Sequence, residues 1–262
     1  MNFIELKENI EQEISGIPDS FSIYIETDEG SIAIHDKKKR RAASLIKIPI
    51  LMEGFRQLET EKVNKDTLVY IDDTMSVGGS GVISYLSKPY VCSIENLLKL
   101  MIIVSDNTAT NILLDKLQLD KVNTMADSIG CKDTVIERKL MDKKAQVAGL
   151  DNYTSAKDMI FLLKTMYNNS NLFSKKSRLQ MLEILGDQQF MHKLPLYNQE
   201  KDGVSIFNKT GELEGVEHDA AILESKDSTI YAAVLSEDLH PNAKGQNHIS
   251  NIGRFLIEYL KK

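Results

Sequence analysis

Apolar positions along this chain follow two periods. Near the start, "FSIYIETD" and "SIAIHD" alternate apolar and polar residues and flank "EG", a turn signal, so a β-hairpin is predicted. Towards the other end, "VSIFNKT", "HDAAILES" and "TIYAAVLSE" predict three further strands, two of them joined through Lys226 and Asp227. From about Asn247 to Lys262 the period becomes helical, with Ile249, Ile252, Phe255, Leu256 and Tyr259 on one face. The middle, from about residue 44 to 185, is mostly helical. "SIENLLKLMIIV" places Ile94, Leu97, Leu98 and Met101 at i, i+3, i+4 and i+7. "SAKDMIFLLKTMY" and "KKSRLQMLEILG" follow the same rule, with Gly186 as an expected C-cap. Strands from both termini and helices between them predict an α/β chain of the α+β kind. An antiparallel sheet built from the chain ends would be covered by helices, with an all-α subdomain inserted. The expected division is 1–43 plus 187–262 for the α/β part and 44–186 for the all-α part, as one structural unit.

A chain of 262 residues can bury a large core, and 42% hydrophobic with 27% charged residues is ordinary for a globular protein. The net charge of -6 and the lack of a basic stripe argue against nucleic acid as a partner. The short basic run from Lys37 to Arg41 reads as a solvated turn. No stretch approaches the about 18 apolar residues of a membrane span, so no membrane partner is expected. The N-terminus, "MNFIELKENIEQEIS", lacks the charged-then-apolar order of a signal peptide. The expected compartment is therefore cytoplasmic, or secreted if an export signal precedes this sequence. Cys92 and Cys131 stand in no metal or redox spacing and are expected as free buried thiols. The five histidines show no metal spacing, so no metal or other cofactor is implied. A monomer is expected.

"RAASLIKIPILMEGF", from Arg41 to Phe55 in an apolar helical run, carries the first chemical signal. Ser44 and Lys47 lie at i and i+3, on one helix face. A serine hydroxyl becomes a nucleophile when a neighbouring base takes its proton. Lys47 can be that base if burial and a second cation push its amine towards neutrality. The first helical turn also leaves the Ser44 N–H free for an oxyanion. Pro49 would remove a helix bond to the Leu45 carbonyl and bend these turns. Ser-x-x-Lys arises about once by chance in a chain of this size, so two further motifs matter. "VSDNTATN" holds Ser105, Asp106 and Asn107 at a helix end, and "NKTGELEG" holds Lys209, Thr210 and Gly211 at a strand end. Ser105 can relay a proton to a leaving group and Asn107 can hold a substrate amide. Lys209 supplies the second cation and, with Thr210, binds a substrate carboxylate. The backbone N–H of Glu212 offers a second oxyanion donor.

The S-x-x-K, SDN and K-T-G triple resembles class A β-lactamases and the related penicillin-recognising serine enzymes. "AASLIKIPIL", "GGSGV", "LLKLMIIVSDNTATNILLD" and "FNKTGELEGVEHDAAIL" are similar to the family's blocks in order, over nearly the whole chain. The resemblance implies the same fold, with the site in the cleft between the subdomains. It implies Ser44 as the acylated nucleophile, Lys47 as its partner and Ser105 as the proton shuttle. Asn107, Lys209, Thr210, Gly211 and the Glu212 backbone would bind substrate. The implied substrate is a small-molecule β-lactam, or a related amide or ester. The implied function is β-lactam hydrolysis. The alternatives are a cytosolic esterase or peptidase of the same fold, or a penicillin-binding domain that acylates without efficient deacylation.

The sequence departs from that family in the segment that should activate water, where class A members carry E-x-x-L-N. "TVIERKLMDKKAQVAGLDNYTS" admits two registers. In one, Glu137 is the deacylating base and Met141 replaces the asparagine. In the other, Arg138 opens the loop, Thr154 and Ser155 close it, and Leu140 stands at the catalytic position. Asp142 is a further candidate base. After the K-T-G, Glu217 and His218 stand where many members have an arginine. Ser80 or Tyr85 is expected at the cleft rim.

Overall fold

A computed structural model describes residues 1–168 and 171–261. The hairpin forms as expected, from β1 (Phe21–Thr27) and β2 (Gly30–Ile34). Two short strand pairs follow: β3 (Arg40–Arg41) with β6 (Tyr153–Thr154), and β4 (Leu68–Ile71) with β5 (Tyr90–Ser93). The segment 44–186 is thus mostly helical, with the short strands β4, β5 and β6 inside it and β3 just before it. β7 (Ser205–Leu213), β8 (Val216–Glu224) and β9 (Thr229–Ser236) complete an antiparallel five-stranded sheet of order β2-β1-β9-β8-β7.

The period-two alternation decides which core each side chain joins. Ala220, Ile222, Tyr231, Ala233 and Leu235 enter one hydrophobic core, and Ala221, Leu223, Ile230, Ala232 and Val234 enter the other. The second core is closed by α1 (Phe3–Glu13) and α9 (Ala243–Leu260). Helix α9 begins before Asn247, and Lys262 lies outside the described residues. The first core contains α2 (Lys47–Glu59), α3 (Ile94–Ile103), α4 (Asn107–Leu117), α5 (Leu119–Ile129), α7 (Ala156–Tyr167) and α8 (Lys175–Gly186); the short α6 (Lys143–Val147) lies outside it. α7 and α8 lie against the sheet, and α2 touches α3, α4, α5, α7 and α8. That central position explains why α2 is apolar on nearly all sides. Cys92 and Cys131 are free and buried in this core.

Four local expectations are corrected. Ser44 lies not in the α-helix but in a 3-10 turn, Ala43–Ile46, that leads into α2. Pro49 therefore falls in the first turn of α2, where its missing N–H costs no intrahelical bond. Gly186 is the last helical residue and Asp187 is the C-cap. The basic run is not wholly a solvated turn. Arg40 is buried, donating to Ser22 Oγ (2.8 Å) and the Asp19 carbonyl (2.9 Å) beside Glu237.

Candidate active site

The turn before α2, the α3–α4 junction and strand β7 bring the three motifs together. Lys47 is fully buried and its Nζ lies 2.6 Å from the Ser105 carbonyl, 2.9 Å from Ser105 Oγ and 2.9 Å from Asn107 Oδ1. Lys209, also fully buried, places Nζ 3.1 Å from Ser105 Oγ and 2.8 Å from the Thr210 carbonyl. Ser105 Oγ thus joins two amines. Burial, then the Lys209 charge, hold Lys47 well below the ordinary lysine range, against an opposing pull from Asp106. Burial and the Lys193 charge bring Lys209 down to about 7. A neutral Lys47 fits its shell: two N–H groups meet the carbonyl and amide oxygens, and the lone pair can accept from Ser105 Oγ. Ser44, Asn107 and Glu212 line a cleft of about 290 Å³. Lys209, Thr210 and Gly211 lie buried in β7, the edge strand of the sheet.

The SDN segment is held by a loop at residues 77–83. Asp106 caps α4 through Ala109 N (2.9 Å) and accepts from the N–H groups of Val82 (2.7 Å) and Ile83 (2.8 Å). Asn107 donates from its backbone to the Ser80 carbonyl and from its side chain to the Gly78 carbonyl. Ser105 takes φ +54° at this junction, and Ala43, just before Ser44, takes φ +47°. Left-handed backbone at non-glycine residues is held only by a well-packed surround and gathers at functional sites. Gly81 must be glycine: its φ is +118° and a Cβ would lie 2.5 Å from Asp106 Cα. Ser80 lines the cleft; Tyr85 is exposed and is not among its lining residues.

Behind β7 lies a charged network that the sequence did not announce. Lys193 is fully buried and donates to the carbonyls of Gly211 (3.1 Å) and His218 (3.2 Å). It pairs with Glu217 Oε2 at 2.5 Å and Glu212 Oε1 at 3.1 Å. His192 and Lys193 together push the Glu212 carboxyl down to about 2, the His192 hydrogen bond contributing most. His192, Glu212 and Glu217 offer ligand atoms within 4.8 Å of one another, a geometry that a metal could use. The Lys193 ammonium is already paired with both carboxylates. Asp219, fully buried, accepts from Leu194 N and Asn208 Nδ2, and burial raises it to about 6. His218 is fully buried too; its Nδ1 lies 2.8 Å from the Glu217 carbonyl and 3.1 Å from the Ser236 N–H, and its Nε2 lies 2.8 Å from the Arg41 carbonyl. Burial lowers its pKa to about 4, so the ring is a neutral tether between β8 and the strand that precedes Ser44. Lys193 lies in no motif and no periodic pattern; only the packing of "MHKLPL" against β8 brings it there.

The loop after Ile136 brings Leu140, and not Glu137, to the cleft. Arg138 pairs with Asp151 (Nη2 to Oδ1, 2.7 Å), closing the neck of residues 138–151. Asn152 Oδ1 accepts from the N–H groups of Glu137 and Arg138, and the Asn152 carbonyl accepts from Ala42 N (2.8 Å). Glu137 is exposed and its carboxylate accepts from Asp151 N (3.1 Å); it is not brought into the cleft. Leu140 is: its backbone is fixed by Asn111 on both sides, and it lines the cleft with Met141. Asp142 caps α6 and faces a neighbouring cavity instead.

The sequence profile of the β-lactamase enzyme family matches residues 5–260. The chain belongs to the β-lactamase enzyme family. It is a serine hydrolase of that kind. A β-lactamase from Sphaerobacter thermophilus is similar in structure, with 25% identity, a TM-score of 0.90, and 99% of this chain and 97% of that one covered. The acyl-enzyme complex of a leucine-to-glutamate mutant of PBP-A with penicillin G is also similar, at 25% identity and TM-score 0.87, covering 98% and 96%. The chromosome-encoded β-lactamase of Vibrio parahaemolyticus shares the fold at 21% identity and TM-score 0.82, covering 95% and 98%. No curated protein matches the chain.

Proposed function

We propose that this protein reacts with β-lactams through a Ser44 acyl-enzyme, as class A enzymes do, and that hydrolysis of that ester limits its turnover. The observation that carries the first half is the convergence of Lys47, Ser105, Asn107 and Lys209 beside the cleft that Ser44 lines. Lys47 takes the Ser44 proton as Oγ attacks the lactam carbonyl carbon. The carbonyl oxygen, now negative, lies between the N–H groups of Ser44 and Glu212. The C–N bond breaks as Ser105 gives its proton to the lactam nitrogen, and Lys47 or Lys209 restores that proton. Protonated Lys209, with the Thr210 hydroxyl, holds the substrate carboxylate.

The second half rests on Leu140. Deacylation needs a base that holds a water against the ester. The carboxylates that line the cleft, Asp151 and Glu212, are each paired with a cation, and Glu212 is held near 2. Glu212, so held, is a weak base. Leu140, which lines the cleft, offers no proton acceptor and excludes water rather than activating it. The leucine-to-glutamate mutant of PBP-A, trapped as an acyl-enzyme with penicillin G, supports a penicillin-reactive serine in this branch of the fold.

Incubation with a chromogenic cephalosporin, followed by intact mass and by absorbance, tests both halves. The expected result is a burst equal to the enzyme present, a +1 adduct at Ser44, and slow steady turnover. Ser44→Ala removes adduct and burst. Leu140→Glu raises steady turnover roughly tenfold or more, part of the ~10²–10⁴ that a general base provides, while Glu137→Gln changes nothing. No adduct in the unaltered protein would overturn the assignment of Ser44. Fast turnover without a burst, or turnover lost in Glu137→Gln, would overturn the assignment of slow release.

A further inference from the structure

A peptide group has two ends: the carbonyl of one residue and the N–H of the next. The Gly211–Glu212 peptide presents its N–H end as a donor to the acyl oxygen on the reading above, on which this inference rests. Its carbonyl end is the Gly211 oxygen that Lys193 Nζ holds at 3.1 Å. We propose that Lys193 is a positioning residue for acylation: its buried cation polarises the Gly211–Glu212 peptide from the carbonyl end and so strengthens the Glu212 N–H as an oxyanion donor.

The setting favours this effect. A charge-assisted hydrogen bond at a carbonyl withdraws electron density through the amide, and hydrogen bonds in series reinforce one another most where water is excluded. Lys193 is fully buried, so its field is little screened. The ammonium is anchored, not loose. It also donates to the carbonyl of His218, which pairs with Gly211 across β7 and β8. Glu217, its closest counter-charge, is fixed in turn by Asn242 Nδ2 (2.7 Å) and Gln246 Nε2 (3.0 Å) at the start of α9. The same cation holds the Glu212 carboxylate on the side of His192, which keeps that side chain with its partners while the backbone serves the cleft. Gly211 itself allows the close fit on the other face: a Cβ there would sit 3.2 Å from Ala43 Cβ and 3.4 Å from the Ala42 carbonyl, next to the nucleophile. One cation thus fixes the second oxyanion donor at the place where the strand meets the Ser44 turn.

The test reads the acyl carbonyl directly. In the Ser44 acyl-enzyme formed with a penicillin, the infrared stretch of the ester carbonyl falls in frequency as its hydrogen-bond donors strengthen. Lys193→Gln keeps a neutral donor, and the double variant Lys193→Met with Glu217→Gln removes the buried pair together, so that one reports if the other does not fold. The expected result in either is an ester band at higher frequency and acylation slowed about tenfold, a fraction of the ~10²–10³ lost when an oxyanion donor is deleted. Lys193→Arg, which keeps the charge, should restore both most of the way. A folded variant with an unshifted ester band would overturn the inference, even if its acylation is slower, because a purely structural role would not touch that band. Absence of any adduct in the unaltered protein would instead strike at the Ser44 acyl-enzyme itself.

Discussion

At the scale of single residues, the site depends on burying ionisable groups that would be exposed elsewhere. Lys47, Lys193, Lys209, His218 and Asp219 are all fully buried beside one sheet edge. For His218 this has a consequence in acid. Its folded value is about 4 against an ordinary 6.5, so folding favours the neutral ring. As pH falls from about 6.5 to 4 the unfolded chain takes up the proton first, and stability is lost, by about 3 kcal/mol in full. Asp219 works in the opposite sense. Raised to about 6, it is protonated in the folded chain before the unfolded one, and adds stability as pH falls through the same window. The unaltered protein should therefore show a shallow acid dependence. His218→Gln, which keeps an N–H within reach of the Arg41 carbonyl, should remove the loss and leave the gain of Asp219 visible. Urea unfolding at pH 7, 6 and 5 measures it; equal slopes for both proteins would refute the account.

At the scale of elements, the cleft depends on two loops bearing on the ends of helices. The 77–83 loop presents glycine to Asp106 because no side chain fits there. Gly81→Ala would combine a φ of +118° with a Cβ 2.4 Å from the Asp106 carboxylate carbon. It should cost at least about 2 kcal/mol and slow acylation as well, since Asp106 sets the positions of Ser105 and Asn107. Thermal unfolding and the rate of adduct formation check the two effects together. Much of this scale was legible in the sequence. Alternation in "TIYAAVLSE" and the i, i+3, i+4, i+7 spacing of Ile94, Leu97, Leu98 and Met101 report a local backbone period, and both elements form where that period places them. The motif residues were legible because their types are chemically restrictive. Lys193 was not, because its role arises from a chain segment without regular structure meeting the back of β7. Glu137 is the reverse case: it matches a spacing, but the Arg138–Asp151 pair and Asn152 hold the neck of that loop so that Glu137 lies outside the cleft.

At the scale of the whole molecule, one sheet separates two cores. Reactive groups lie where the edge strand β7 meets the turn before α2, whereas α1 and α9 cover the opposite face. Stability and chemistry should therefore be separable by substitution on that far face. Leu256→Ala, in the second core, is expected to lower stability by about 2–5 kcal/mol and to leave the acylation rate of the folded protein unaltered. A denaturant titration paired with adduct formation in the cold decides it. Loss of rate in fully folded Leu256→Ala would show that the two faces are mechanically linked.

Leu140, the hydrocarbon that faces the cleft, carries a consequence beyond the reaction itself. On the function proposed above, capture of a β-lactam is quick and release slow, so the number of protein molecules, more than their speed, sets how much drug can be taken up at once. A cell relying on it would gain protection in proportion to its stock of the protein, and would recover that capacity chiefly through fresh synthesis.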